Sequence, residues 1–92
     1  MRYSIEEVKS LHRHLRYKAE ELRDGPGFKE WITMDSTSWH IRMYLDYGKD
    51  MDRIPVDCLK ALESDLQDIP VMINDESLIV REIVAWRLEH VR

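Results

Sequence analysis

The sequence contains one cysteine, Cys58, and no long apolar run. A single cysteine excludes an intramolecular disulfide and is typical of a reducing compartment. No apolar run approaches the roughly 18 residues that cross a membrane, and the opening "MRYSIEEVK" has no hydrophobic signal region. These absences predict a cytoplasmic protein in which Cys58 is a small residue of a helix core.

Motifs for catalysis, metal binding and cofactor binding are also missing. The chain has neither a G-x-S-x-G pattern nor a phosphate-binding loop. His12 and His14 lie two positions apart, and on a helix about 200° of rotation keeps them from chelating one ion. The loop with Asp46, Asp50 and Asp52 lacks the ligand order of an EF-hand. The sequence therefore predicts a non-catalytic protein with no metal site and no cofactor.

Glycine and proline are scarce, at three residues each in 92. No linker, internal repeat or low-complexity segment interrupts the chain, so a single domain over residues 1–92 is predicted. The charge is uneven, because residues 24–76 hold five basic and twelve acidic side chains within a total net charge of −4. An acidic middle disfavours nucleic-acid binding and favours a partner with a basic surface.

The first element is predicted to be a helix. "SIEE" is a capping box, in which Ser4 and Glu7 bond to each other's main chain. Apolar residues then recur with the spacing of one helical face, and "RDGPGF" ends the helix, with Gly25 free to adopt a positive φ and Pro26 unable to continue it. The residues of that face are Ile5, Val8, Leu11, Leu15, Ala19 and Leu22.

The next segment is predicted to be a β-hairpin of residues 28–34 and 38–47. In "SWHIRMYLDY" apolar side chains alternate with more polar ones, which places the apolar set on one side of a strand. "FKEWITM" is rich in β-favouring residues, and "DSTS" suits a turn between the two strands. The alternating apolar set consists of Trp39, Ile41, Met43, Leu45 and Tyr47.

Two further helices complete the predicted fold. "IPVDCLKALESDLQDI" has an inner stripe of apolar residues, and "NDES" supplies the cap of a last helix, "LIVREIVAWRLEHV", over residues 78–91. Residues 70–73 form either a third short strand or a connector. The fold class is therefore α+β in the order α-β-β-α-α, with an antiparallel hairpin packed against helices.

Arg87 is the unusual residue of the last helix. At 100° per residue it falls in the middle of the apolar arc that Ile79, Ile83 and Trp86 help to form. An unpaired buried guanidinium is very unfavourable, so Arg87 must either meet an acid or lie at an interface. The acid-rich second of the three predicted helices is the first place to look for that acid.

The function that these features favour is binding of another macromolecule, in the manner of the small inhibitors and adaptors of phages and mobile elements. Either a protein partner with a basic surface or a second copy of the chain fits this composition. Aromatic and arginine side chains are enriched at protein interfaces, and acidic ones steer a basic partner. The candidate partner-binding residues are Trp31, Arg42, Tyr44, Asp50, Asp52, Asp57 and Arg87.

Two alternatives remain open. The first is a small-ligand site in a cleft between the hairpin and the last helix, lined by Trp31, Tyr44, Arg87 and His90. The second is weak nucleic-acid binding through the first helix, where Lys9, Arg13 and Arg16 form a short basic stripe that neighbouring glutamates dilute.

Overall fold

A computed structural model describes residues 3–25 and 27–90, and all regular structure in these residues is helical. Pro26, which was expected to stop the first helix, lies outside the described residues. The α-helices are α1 (Ile5–Arg23), α2 (Phe28–Tyr47), α3 (Val56–Glu63) and α4 (Leu78–His90), with short 3-10 helices at Met51–Arg53 and Ile69–Met72. The chain divides into two compact units, one ending at Ile54 and the other beginning at Pro55.

The predicted α+β class is wrong, since residues 3–25 and 27–90 contain no strand. The two segments expected to pair as a hairpin, 28–34 and 38–47, belong to the single helix α2. The possible third strand at 70–73 falls in the 3-10 helix Ile69–Met72 and the turn that follows it. The order is therefore α-α-α-α.

The alternating pattern arises because α2 is apolar on two opposite sides. Ile41 and Leu45, four positions apart, are buried, whereas Trp39, Met43 and Tyr47, also four apart, lie on the other side. Two interleaved series of spacing four produce the same alternation as a strand of period two. A pattern analysis that assumes one buried side therefore cannot distinguish a strand from a helix with two apolar sides.

The "DSTS" segment continues the helix because its polar groups are satisfied there. The Ser38 hydroxyl donates to the Asp35 carbonyl oxygen at 2.8 Å, one turn back along α2. The Asp35 side chain pairs with Arg16 of α1. Thr37 and Ser38 are both buried, so this short polar stretch is part of the packed side of α2.

In the first unit, α1 packs along α2. The predicted capping box is present, with Glu7 N–H donating to Ser4 Oγ at 3.1 Å and Ser4 N–H donating to Glu7 Oε1 at 2.8 Å. A left-handed Gly48 (φ 70°) ends α2, whereas Gly25 keeps an ordinary φ. The buried side chains of the two helices are Val8, Leu11, Leu15, Ala19, Met34, Thr37, Ser38, Ile41 and Leu45.

In the second unit, α3 packs against α4. Helix α3 ends at Glu63, six residues earlier than the predicted stripe implied, because Ser64 is extended (ψ 152°). At the start of α4, Ser77 Oγ accepts from the Val80 N–H at 3.4 Å, which confirms the cap predicted there. The buried side chains of the two helices are Cys58, Ala61, Leu62, Ile79, Val80, Ile83, Val84, Trp86 and Arg87. None of the helices in the described part of the chain is long and apolar enough to cross a membrane.

Candidate functional site

The candidate site is the exposed apolar side of α2, called here the outer face. Its members are Phe28, Ile32, Trp39, Met43 and Tyr47, which fall within about 100° of the helical circumference. Phe28 is 59% exposed, Ile32 49%, Trp39 53% and Tyr47 68%, and Met43 is half-buried. They lie opposite the buried side of the same helix.

The outer face extends from one end of α2 to the other, with the exposed Ser36 between its two groups of apolar residues. Phe28 and Ile32 form its first turn, and the Phe28 ring contacts that of Trp31 with the centroids 5.2 Å apart. Towards the other end, Trp39, Met43 and Tyr47 line an open cleft of about 580 Å³. Arg42, Asp46 and Lys49 complete the lining of this cleft. Apolar and aromatic surface is therefore presented over the whole length of α2.

Charged groups border the outer face in pairs. Arg42 Nε donates to Asp46 Oδ2 at 3.3 Å, and the Arg16 guanidinium donates to Asp35. His40 Nδ1 lies 3.2 Å from Asp50 Oδ2. Asp35 and Asp46 are thus each paired with an arginine of the same unit, which reduces the net field at the border of the face.

His12 of α1 lies near the Arg42–Asp46 and Arg16–Asp35 pairs. Its Nδ1 is 3.5 Å from Arg42 Nη1, and its ring contacts the edge of Trp39, with centroids 6.5 Å apart. Burial lowers the pKa of His12, and the guanidinium groups of Arg42 and Arg16 lower it further, against a smaller opposite effect of nearby carboxylates. His12 is therefore a neutral contact between the two helices above its lowered pKa.

A hairpin would have placed Trp31, Arg42 and Tyr44 on one face of a sheet, whereas the helix α2 separates them. Trp31 and Arg42 share one stripe of α2, whereas Tyr44 is rotated by about 200° from Arg42. Trp31 and Tyr44 are half-buried, and Arg42 points at Asp46 and His12. These residues therefore border the outer face or lie away from it.

The acidic candidates are scattered. Asp50 adopts a left-handed conformation (φ 63°) beside His40, and Asp52 is exposed on the following 3-10 helix. Asp57 belongs to the second unit, where it is exposed and its Oδ1 accepts from the Cys58 N–H at 2.9 Å. Asp52 and Asp57 remain available for long-range attraction of a basic partner.

Arg87 is 3% exposed and holds the end of a helix. Its Nη1 donates to the Ala61 carbonyl oxygen at 2.9 Å and also to the Ser64 carbonyl oxygen. Both acceptors lie at the end of α3, where helix carbonyls have no partner within the helix. This geometry makes Arg87 a structural residue and places its acceptors on the helix that was expected to supply an acid.

The predicted ligand cleft required a β-hairpin on one side, and residues 28–47 form the helix α2 instead. Its proposed lining divides between the units, with Trp31 and Tyr44 on α2 and Arg87 and His90 on α4. His90 stacks on Trp86 with ring centroids 5.3 Å apart, and its Nδ1 donates to the Trp86 carbonyl oxygen at 3.1 Å.

The sequence contained a signal for the outer face that the hairpin prediction concealed. Phe28 and Ile32 are four positions apart, as are Trp39, Met43 and Tyr47 in turn, which is the spacing of one helical stripe. The hairpin interpretation assigned the last three to a buried strand face.

Metal binding and known relatives add nothing to this site. Among the side chains of residues 3–25 and 27–90, no three acids, histidines or cysteines are grouped to hold a metal ion. Comparisons with protein-family models, curated proteins and solved structures give no match to this chain. Its function therefore has to be inferred from the outer face itself.

Proposed function

We propose that this chain is a non-catalytic cytoplasmic protein that acts by binding another protein through the outer face of α2. The observation that carries the proposal is the exposure of Phe28, Ile32, Trp39 and Tyr47 on one side of one helix. Isolated exposed apolar residues are ordinary on protein surfaces, but several large apolar side chains on one side of a helix are typical of an interaction site.

The residue types support a protein partner. Trp, Tyr, Phe and Met are enriched in the centres of protein interfaces, where each large side chain excludes water from a wide area. The paired charges at the border match the polar rim that surrounds such a centre. Nucleic acid is a poor fit, because the chain carries a net charge of −4 and phosphate binding needs clustered basic side chains.

The acidic surface has a secondary role in this proposal. Asp52 and Asp57 are exposed, and with the net charge of −4 they favour approach of a basic partner. The outer face then provides the contact itself.

The test is capture of partner proteins from a cell lysate with matched tyrosine variants. Tyr47 on the outer face is 68% exposed and Tyr17 on α1 is 64% exposed, so Tyr47→Ala and Tyr17→Ala remove the same side chain at similar exposure. We expect wild type and Tyr17→Ala to retain the same protein. Tyr47→Ala combined with Trp39→Ala should retain at least about tenfold less of it.

Circular dichroism of each variant verifies that the helices persist. Capture of no specific protein by wild type would overturn the proposal. Equal capture of the same protein by the variant that lacks Trp39 and Tyr47 would overturn it as well.

A further inference from the structure

We propose that a second copy of this chain occupies the outer face, with the two α2 helices packed antiparallel about a two-fold axis. This inference rests on the proposed function, since it names one occupant of the same face. It also implies regulation, because a dimer covers the surface that another protein would bind. The monomer is then the form that is competent to bind a partner.

The first support is the symmetric placement of the outer-face residues along α2. Phe28 and Tyr47 are equally far from the point between Thr37 and Ser38, and so are Ile32 and Met43. In an antiparallel pair centred on that point, Phe28 lies level with Tyr47 of the second copy. Ile32 lies level with Met43 of the second copy.

Residues near the centre of α2 are also placed symmetrically. Ser36 and Trp39 are also symmetric about the point between Thr37 and Ser38, and both are exposed. The large indole therefore lies level with a small serine of the second copy, as close packing of two helices needs. A two-fold interface must be self-complementary, and this arrangement meets that condition at all three levels.

The second support is the charge at the border of the face. Asp35 and Asp46 each pair with an arginine of the same unit. Two identical surfaces repel when like charges meet, and pairing within each copy reduces that repulsion.

The third support is the area of the face. Each of its aromatic side chains buries 150–250 Å² when fully covered, so about half of this, or roughly 100 Å², remains to be buried for each one. With Ile32, Met43 and the bordering stems, a pair of copies would bury about 1,000–1,200 Å² in total, which is the range of weak interfaces. We therefore expect a dissociation constant on the order of 1–100 μM.

The experiment is sedimentation equilibrium of the full chain over concentrations on both sides of that range. Wild type is expected to change from monomer to dimer as the protein concentration rises. Ile32→Glu should raise the dissociation constant at least about tenfold, because it places a carboxylate against Met43 of the second copy. Ile5→Glu on α1 is the matched control, since Ile5 is 69% exposed and lies outside the outer face.

Cysteine pairing tests the register. Single variants Ile32→Cys and Met43→Cys are mixed and oxidised under native conditions, in which the native Cys58 is fully buried. The antiparallel arrangement predicts that the mixed disulfide forms in preference to either homodisulfide. A parallel arrangement would favour the two homodisulfides.

A wild-type chain that stays monomeric up to about 1 mM would overturn the inference, since such a contact is too weak to matter. A dimer that Ile32→Glu and Trp39→Ala both leave intact would overturn it too, as would a preference for homodisulfides. A monomer that still captures a protein through Trp39 and Tyr47 would leave the proposed function standing without the dimer. A dimer that forms through the outer face, with no protein captured from the lysate, would support the dimer and overturn the proposed function.

Discussion

Arg87 on α4 donates from Nη1 to the carbonyl oxygen of Ala61 on α3, at 2.9 Å. A second bond from the same nitrogen reaches the carbonyl oxygen of Ser64, where α3 ends. A positive group at a helix C-terminus satisfies orphan carbonyls and interacts favourably with the helix dipole. One buried side chain of α4 therefore caps α3 and joins the two helices of the second unit.

Replacing Arg87 should destabilise the protein strongly. Arg87→Met keeps most of the side-chain volume but removes both bonds, so we expect the free energy of unfolding to fall by about 2–4 kcal/mol. The free energy of unfolding of Arg87→Lys should lie between those of wild type and Arg87→Met, because a single ammonium group replaces the planar guanidinium. Urea unfolding followed by circular dichroism measures the change.

The control for this series is Arg13→Met, which removes an exposed arginine from α1. Its free energy of unfolding should stay within about 0.5 kcal/mol of wild type. If Arg87→Met were as stable as this control, the bonds to Ala61 and Ser64 would not be what holds the end of α3.

Two of the three glycines of the first unit, Gly48 and Gly25, should respond oppositely to alanine. Gly48 has φ 70°, and a Cβ there meets no atom within 4 Å, so backbone strain alone opposes a side chain. Gly48→Ala should lower the free energy of unfolding by about 1 kcal/mol. Gly25 keeps an ordinary φ, and its added Cβ would lie 3.6 Å from the nearest atom, the Glu21 carbonyl oxygen.

Gly25→Ala should therefore be neutral or slightly stabilising, by up to about 1 kcal/mol, because alanine restricts the unfolded chain. Thermal unfolding of both variants measures the difference. Equal destabilisation by the two substitutions would show that the left-handed end of α2 is not the origin of the effect.

Local signals were sufficient to predict α1 but not α2. The Ser4–Glu7 capping box and a single apolar stripe identify a helix with one buried side. In α2, Ile41 and Leu45 face the interior while Trp39 and Met43 face outward, so its apolar residues show no single helical stripe. Which of these sides is buried depends on tertiary packing, which one sequence does not display.

Arg87 shows the same limit at the level of one residue. Its place in the apolar arc of α4 indicated that Arg87 either meets an acid or lies at an interface, and in the structure this residue is 3% exposed. The two acceptors of its Nη1 were not expected, because these carbonyl groups become available only where α3 ends. That end, at Glu63, lies within a segment whose apolar spacing continues to Ile69.

Cys58 should be nearly unreactive in the folded protein. The residue is fully buried, and burial, followed by the negative charge of Asp57, raises the pKa of its thiol to about 12. Because the thiolate is the reactive form, a shift of this size lowers its fraction at neutral pH by about 1,000-fold. Reaction with a thiol-specific disulfide reagent should be slow in buffer and complete within minutes in urea.

The concentration of urea at which Cys58 begins to react then reports opening of the second unit. Cysteine introduced at Val71, which is 86% exposed, provides an internal comparison and should react at once in the folded chain. Rapid labelling of Cys58 in buffer would contradict its place in the core of the α3–α4 pair.

His12 should make stability depend on pH. Its pKa in the folded chain is lowered from 6.5, first by burial and then by Arg42 and Arg16, so the folded chain binds this proton more weakly than the unfolded chain. The contribution of neutral His12 is therefore complete above about pH 6.5 and is lost as the pH falls toward the lowered value. The slope from one such group is at most about 1.4 kcal/mol per pH unit.

The measurement compares wild type with His12→Gln, which cannot take up the proton. Urea unfolding at about pH 7.5 and about pH 5.5 gives the difference in free energy of unfolding between the two chains at each pH. Wild type should lose stability relative to His12→Gln at the lower pH, since other titrating groups cancel in the comparison. A difference that stays constant, or that grows in favour of wild type on acidification, would show that His12 accepts a proton at least as readily in the folded chain as in the unfolded one, contrary to this prediction.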